Sequence, residues 1–208
     1  MKIVVFGANG KVGHRVVAEL LQRGHHVRAF VHSRSNLLPQ HDNLEIVHGD
    51  ACSAQDVTMA LDSIDVAMST LSSWKSSGEV LSTWASLVVN SAHATPALRV
   101  VSLTGSAVLQ PKDHAAWYDY LNRVVLRIIA PRVFHDGAQH IDILASSSLD
   151  WHVLRSPVMR VKPSHTYQLS THPPLPWQTI PYDAVARALC DIAEKPRVEH
   201  RTPFIVPY

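Results

Sequence analysis

Cysteine is scarce. Cys52 and Cys190 are the only two in 208 residues, they lie far apart, and no Cys-x-x-Cys spacing occurs. That excludes a disulfide-stapled framework and makes a reduced, intracellular setting the expectation. Runs of basic residues are absent too. The 19 Lys and Arg and 17 Asp and Glu are scattered and leave a net charge of +2, so nothing marks a nucleic-acid partner. No apolar stretch approaches a membrane span, and the N-terminal apolar run is too short for the core of a signal peptide. A cytoplasmic protein that meets neither membrane nor nucleic acid is expected. The 14 histidines are dispersed and are expected at the surface. His135 and His140 are five apart and so do not share a helical face, and no carboxylate or cysteine accompanies them at ligand spacing; no metal site is expected.

What remains is an ordinary globular composition, 46% hydrophobic and 17% charged, in a chain long enough to bury a sizeable core as one domain. Short β-branched runs alternate with amphipathic segments. Strands are predicted at 2–6, 27–31, 44–47, 66–69, 100–103, 152–154 and 204–206. Helices are predicted at 12–22, 55–61 and 81–93, through 141–145, and after Pro181, which stands at a favourable first helical position. Continuously apolar strands between helices indicate an α/β fold: a doubly wound parallel sheet covered on both faces, in three α/β/α layers. Two stretches break the alternation. Residues 111–131 insert a helix-like run, AAWYDYLNRVVLRIIA, and residues 157–181 are rich in Pro, His and Thr, with one strand expected at 166–169. Both follow the carboxyl ends of predicted strands, where doubly wound folds bind ligands. They are expected to form the substrate side of a single domain spanning 1–208.

Three glycines, Gly7, Gly10 and Gly13, follow the first strand at three-residue spacing and open the first helix. A pyrophosphate needs backbone N–H groups aimed at it and no side chain in the way. Gly7 suits the tight turn, Gly10 the close approach and Gly13 the packing of helix on strand. The carboxylate that would hold a ribose 2′-hydroxyl is missing, since no acid occurs from Val27 through Gln40. His32, Ser33 and Arg34 stand there instead, a set suited to phosphate oxygens. Arg34 either contacts the phosphate or is a solvated loop residue. NADP(H) is expected, with NADPH preferred over NADH. After the third strand, Asp50 either accepts from the adenine amino group, with Ala51 beside it, or caps a helix, a task for which Ser53 is better placed.

A Tyr four residues before a Lys is also absent. Tyr118, Tyr120, Tyr167 and Tyr182 are followed at that spacing by Asn122, Val124, Thr171 and Ala186. This argues against ordinary alcohol–ketone chemistry and equally against an isomerase or epimerase that oxidises transiently. At the end of the fifth strand, Thr104 and Ser106 are the candidate catalytic hydroxyls; they either orient a substrate carbonyl or satisfy backbone groups. Trp117, Pro157 and Trp177 are the candidate walls of an acceptor pocket, although the aromatics of the insert serve equally to pack it down or to form an interface.

Together GANGKVG, the GDA after the third strand, VSLTGSA and SLDWHVLRSP resemble the atypical short-chain dehydrogenases. The likeness is closest to the NAD(P)H-binding group that includes biliverdin-IXβ/flavin reductase and NmrA-like proteins, and it covers essentially the whole chain. It implies a Rossmann fold, with Gly7, Asn9, Gly10, Lys11, Val12 and Gly13 along the pyrophosphate, Asp50 and Ala51 at the adenine, and Thr70 and Leu71 along the ribose. His32 falls where the group commonly has an arginine, which shifts the 2′-phosphate contact toward Arg34. The histidine that follows the proline of the sixth strand in biliverdin-IXβ reductase is not matched, since Pro157 is followed by Val158. The resemblance implies an oxidoreductase passing hydride to a small planar acceptor such as a flavin or quinone. The alternative is a non-catalytic NADP(H)-binding redox sensor of the NmrA-like kind. A homodimer or a protein partner is compatible with either.

Overall fold

Ile3, Val4, Val5 and Phe6 of the first strand are fully buried, as a strand must be when helices cover both its faces. A computed structural model describes residues 1–33, 37–75, 78–92, 97–162, 166–195 and 199–208 of the chain. The strands are β1 (Lys2–Phe6), β2 (His26–Val31), β3 (Leu44–His48), β4 (Val66–Ser69), β5 (Arg99–Gly105), β6 (Asp150–Ser156), β7 (Val158–Arg160), β8 (Gln168–Ser170), β9 (Thr179–Pro181) and β10 (Phe204–Val206). The helices are α1 (Gly13–Gln22), α2 (Ala54–Ala60), α3 (Val80–Ser91), α4 (Trp117–Ile129), α5 (Pro131–Ala145) and α6 (Tyr182–Glu194), with one 3-10 turn at Ser73–Lys75. The main sheet has eight strands in the order β3-β2-β1-β4-β5-β6-β10-β8. All its pairs are parallel except β10 with β8.

One face of the sheet is covered by α1 and α6, where Val16, Val17 and Leu20 meet Val185, Leu189 and Ile192. The other is covered by α2, α3 and α5, where Val57, Trp84, Val88, Ile141 and Leu144 fill the layer. Strand order runs outward from β1 through β2 to β3 and then restarts at β4 on the opposite side. The carboxyl ends of β1 and β4 therefore border the crevice in which this topology places a ligand.

Two local expectations need correction. Pro181 is the residue before α6 and not its first helical position: its backbone is extended, with φ −63° and ψ 142°. A proline there still leaves no donor unsatisfied, because the first helical N–H groups have no intrahelical partner anyway. The 157–181 segment holds two more strands than expected, β7 and β9, paired parallel as a separate two-stranded sheet, and its expected strand lies at 168–170. Three-residue strands carry too little alternation to be read from sequence. In the insert, the expected helix-like run forms α4, which stops before Ala130 because Pro131 disfavours the helical conformation for the residue before it.

Candidate dinucleotide-binding site

The turn after β1 is built on backbone contacts that exclude side chains. Gly7 has φ +76°, a conformation that glycine adopts without strain. A Cβ on Gly13 would lie 2.1 Å from the Gly7 carbonyl oxygen and 2.8 Å from Ala8 Cα, so only glycine lets α1 start this close to β1. At Gly10 the same test gives 3.1 Å to the Gly7 oxygen, a tight contact but a full ångström looser than at Gly13. The Thr70 hydroxyl, just past β4, donates to the carbonyls of Phe6 and Gly7 at 3.0 and 3.1 Å and fixes the turn from the other side of the crevice. Val12, the residue before α1, caps it with no side chain, and no acid lies in the first helical turn. The helix thus presents its positive end with no carboxylate competing for it, which is the donor arrangement a phosphate requires. Lys11 and Arg15 flank the Tyr182 ring, at 5.8 and 5.3 Å from its centroid, and Arg15 pairs with Asp183 at 2.7 Å. The chain therefore fits a pyrophosphate at this turn.

The Asn9 amide donates to the Ser33 carbonyl at 3.3 Å and lies 3.4 Å from its hydroxyl. The glycine turn is thereby tied to the loop after β2, where His32 and Ser33 are exposed. Arg34 lies outside the described residues. Asp50 is exposed and accepts from the Cys52 N–H at 2.9 Å, while Ala51 is buried. The cap of α2 is Ser53, which accepts from the Asp56 N–H, so Asp50 is not needed for that task. Leu71 follows Thr70 and is half-buried.

At the carboxyl end of β5, Thr104 and Ser106 are half-buried and Gly105 between them is exposed. The Thr104 hydroxyl packs on α5 so closely that a Cβ on Gly137 would come within 2.7 Å of it. Ser106 donates its backbone N–H to the Ser156 carbonyl at 2.9 Å. Pro157 is buried, whereas Trp177 is 76% exposed in a turn closed by the Gln178 N–H on the Leu175 carbonyl. Trp117 opens α4 with its ring against Tyr118 and is exposed. The two substrate-side segments meet where the His114 N–H donates to the Thr171 carbonyl at 3.2 Å and the His114 and His172 rings stack.

Behind β5 lies a polar cluster that the sequence did not flag. Asp136 of α5 is fully buried and accepts from the N–H groups of Leu81 and Ser82 at 3.0 and 2.8 Å and from the Ser82 hydroxyl at 2.7 Å. The Ser73 hydroxyl completes the set. Burial pushes its carboxyl up, but these hydroxyl and amide donors outweigh that and hold it below the ordinary carboxylate range. One turn on, His140 is buried and shares a 2.7 Å hydrogen bond with Ser102. Burial lowers its imidazole to about 4 despite the nearby Asp136 charge. His140 is thus an exception to the surface placement expected for the histidines, and the i, i+4 spacing of Asp136 and His140 was the available signal. No cluster of three metal-ligating side chains occurs among the described residues, and none of the helices described is long and apolar enough to cross a membrane.

Arg155, in the SLDWHVLRSP stretch, is 1% exposed. Its guanidinium is bidentate to Asp113, at 2.5 and 2.6 Å, donates to the Val108 carbonyl at 2.8 Å and lies over the Phe204 ring. It pins the start of the insert to β6 and β10. The chain matches the family model described as NAD(P)H-binding over residues 7–196. Among solved structures it resembles an anaerobilin reductase from Escherichia coli O157:H7, at 17% identity over 100% of this chain and 97% of that one, TM-score 0.76. It equally resembles a short-chain dehydrogenase/reductase from Veillonella parvula in complex with NADP, at 15% identity over 99% and 94%, TM-score 0.76. Among curated proteins a stretch of 69 residues is 42% identical to a 3β-hydroxysteroid dehydrogenase/Δ5→4-isomerase from Mycobacterium tuberculosis. That stretch is 33% of this chain and only 18% of the relative.

Proposed function

The chain belongs to the NAD(P)H-binding family, and from that membership we propose that it is an NADPH-dependent reductase that passes hydride to a small planar acceptor, a flavin or a quinone. The observation that carries this reading is the glycine turn at the β1–β4 crevice, where Gly13 admits no side chain and α1 offers an uncapped positive end. When bound, the dinucleotide supplies the hydride. The chain holds the pyrophosphate on α1, orients the ribose beside Thr70 and Leu71, and borders the reacting face with Thr104 and Ser106. Preference for NADPH is supported by the absence of any acid from Val27 through Gln40 and by the Asn9–Ser33 link, which sets a hydroxyl beside the expected 2′-phosphate.

No Tyr–Lys pair supplies a general acid. Tyr167, moreover, donates its hydroxyl to Asp191, and burial together with that carboxylate pushes its phenol pKa well above the ordinary value. An electron-poor acceptor needs no strong side-chain acid: it takes the hydride, water supplies the proton, and the protein contributes proximity and orientation. The anaerobilin reductase and the NADP complex of similar fold support the same class. The steroid dehydrogenase relative bears only on the 69 matched residues.

The test is NADPH consumption by the purified protein, followed by absorbance, with FMN and a set of quinones, NADH being run beside it. Acceptor-dependent consumption faster with NADPH is the expected result. Tight NADPH binding with no consumption across the panel would overturn the reductase and leave a redox sensor.

A further inference from the structure

Helix α4 has its polarity reversed for a helix on the surface of a lone chain. Its one buried residue is Asp119, which accepts from the Ala116 N–H at 2.8 Å, and Arg123 lies over the Phe134 ring of α5. The apolar side chains point outward instead. Trp117, Tyr120, Leu121, Val124, Ile128 and Ile129 are all more than half exposed, reaching 77% at Trp117 and 74% at the two isoleucines. A surface helix normally turns such a stripe to the core.

We propose that this face is the contact with a second copy of this chain, with α4 packed antiparallel on its symmetry mate. Spacing is the first argument. Trp117, Leu121, Val124 and Ile128 recur at intervals of four, three and four, the seam of two helices crossing at about 20°. Self-complementarity is the second. About a twofold axis between positions 121 and 124, Leu121 faces Val124 of the partner subunit and Trp117 faces Ile128 of the partner subunit, so a large side chain meets a β-branched one at each end. Charge is the third. The seam carries none, and Arg127 lies on the same flank as Tyr120, seven residues earlier. In an antiparallel pair each Arg127 therefore falls beside Tyr120 of the partner subunit, whose ring face accepts a cation. Extent agrees as well: Trp117, Tyr120, Leu121, Val124 and Ile128 leave an apolar strip along the whole of α4, each more than half exposed, and a standard interface takes about 800 Å2 from each partner.

A membrane-surface helix would carry cations on its polar face with the apolar stripe between them. Here the flank opposite Arg127 holds Tyr118, Asn122 and Val125, with no cation. Trp117 is then an interface residue and not a wall of the acceptor pocket.

The test is the molar mass in solution, by light scattering and sedimentation, from about 1 to about 100 µM chain, since a subunit contact obeys mass action. The expected result is a dimer that becomes a monomer in Leu121→Glu/Ile128→Glu, with circular dichroism unchanged because both side chains are more than half exposed on the single chain. Arg127→Glu should weaken the dimer about tenfold. A wild-type monomer throughout the range overturns the proposal whatever the variants do. So does a folded Leu121→Glu/Ile128→Glu that remains dimeric. A wild-type monomer that sediments with phosphatidylserine vesicles overturns it in favour of a membrane surface.

Discussion

Gly10 and Gly13 perform different tasks that a substitution can separate. At Gly13 an added Cβ meets backbone at 2.1 Å, and backbone cannot rotate away. Gly13→Ala should therefore displace α1 from β1 and cost about 1–3 kcal/mol, the usual range for overpacking a tight contact. It should also lower affinity for the dinucleotide at least about tenfold, or 1.4 kcal/mol. At Gly10 the nearest contact is 3.1 Å. Gly10→Ala should leave stability nearly unchanged while placing a methyl where the pyrophosphate approaches. Thermal midpoints and NADPH titration by fluorescence read both effects. A Gly10→Ala protein that binds as tightly as wild type would remove the pyrophosphate from this turn. Arg155 shows the reverse case, a residue of the SLDWHVLRSP stretch whose buried pairing with Asp113 makes it a fastener. A guanidinium at 1% exposure must be paired, but its partner lies 42 residues away, and no local pattern connects the two.

Between elements, the notable device is a helix cap supplied by a different helix. The residue before α3, Glu79, gives it no side-chain cap, yet the Leu81 and Ser82 N–H groups are satisfied by Asp136 from α5. A carboxylate at a helix N-terminus is also favoured by the helix dipole. Asp136→Ala strands these buried donors and should cost about 2–3 kcal/mol. The measurement is a fall in the denaturant midpoint at constant slope. Because Ser73 also bonds Asp136, the loop that follows Thr70 and Leu71 loses its anchor, and the KM for the dinucleotide should rise with it. A variant as stable as wild type would mean that water serves these donors equally well. The same device marks the limit of what the sequence discloses. Strands β1, β4 and β10 were predicted to the residue, and α1 to within one, because apolar periodicity and the glycine turn are local signals. The Asp136 cap, the Ser102–His140 bond and the β7–β9 pair join residues distant in the chain, and a one-dimensional pattern does not contain them. The glycine turn of the candidate site was legible for the same reason, whereas the Thr70 hydroxyl, expected along the ribose, reaches the turn from 63 residues away. What lies behind Thr104 was not.

The molecule as a whole should be less stable in mild acid, and His140 sets the window. In the unfolded chain an imidazole takes up its proton near pH 6.5. In the folded chain burial against α3 and β5 delays that uptake to about pH 4. The unfolded state therefore binds more protons throughout this interval, and stability falls as pH falls. The contribution is complete above about pH 6.5 and is gone near pH 4, a loss of about 3 kcal/mol from this group alone. Asp136, held below its ordinary value, adds its own loss at lower pH, beginning as the carboxylate of the unfolded chain takes up its proton near pH 4 and complete once the native carboxylate is protonated as well. The two windows adjoin, so this one buried cluster contributes acid sensitivity from neutrality downward, beside the paired carboxylates of Asp150 and Glu194, which are also held low. His140→Gln retains an amide to meet the Ser102 hydroxyl and has nothing to titrate. Denaturation at pH 7, 6 and 5 should show the wild type weakening across the series and the variant holding flatter, so that the two curves converge as pH falls even if the variant begins less stable. Parallel curves would mean that His140 is protonated in the folded chain as readily as in water, and that solvent reaches it between α3, α5 and β5.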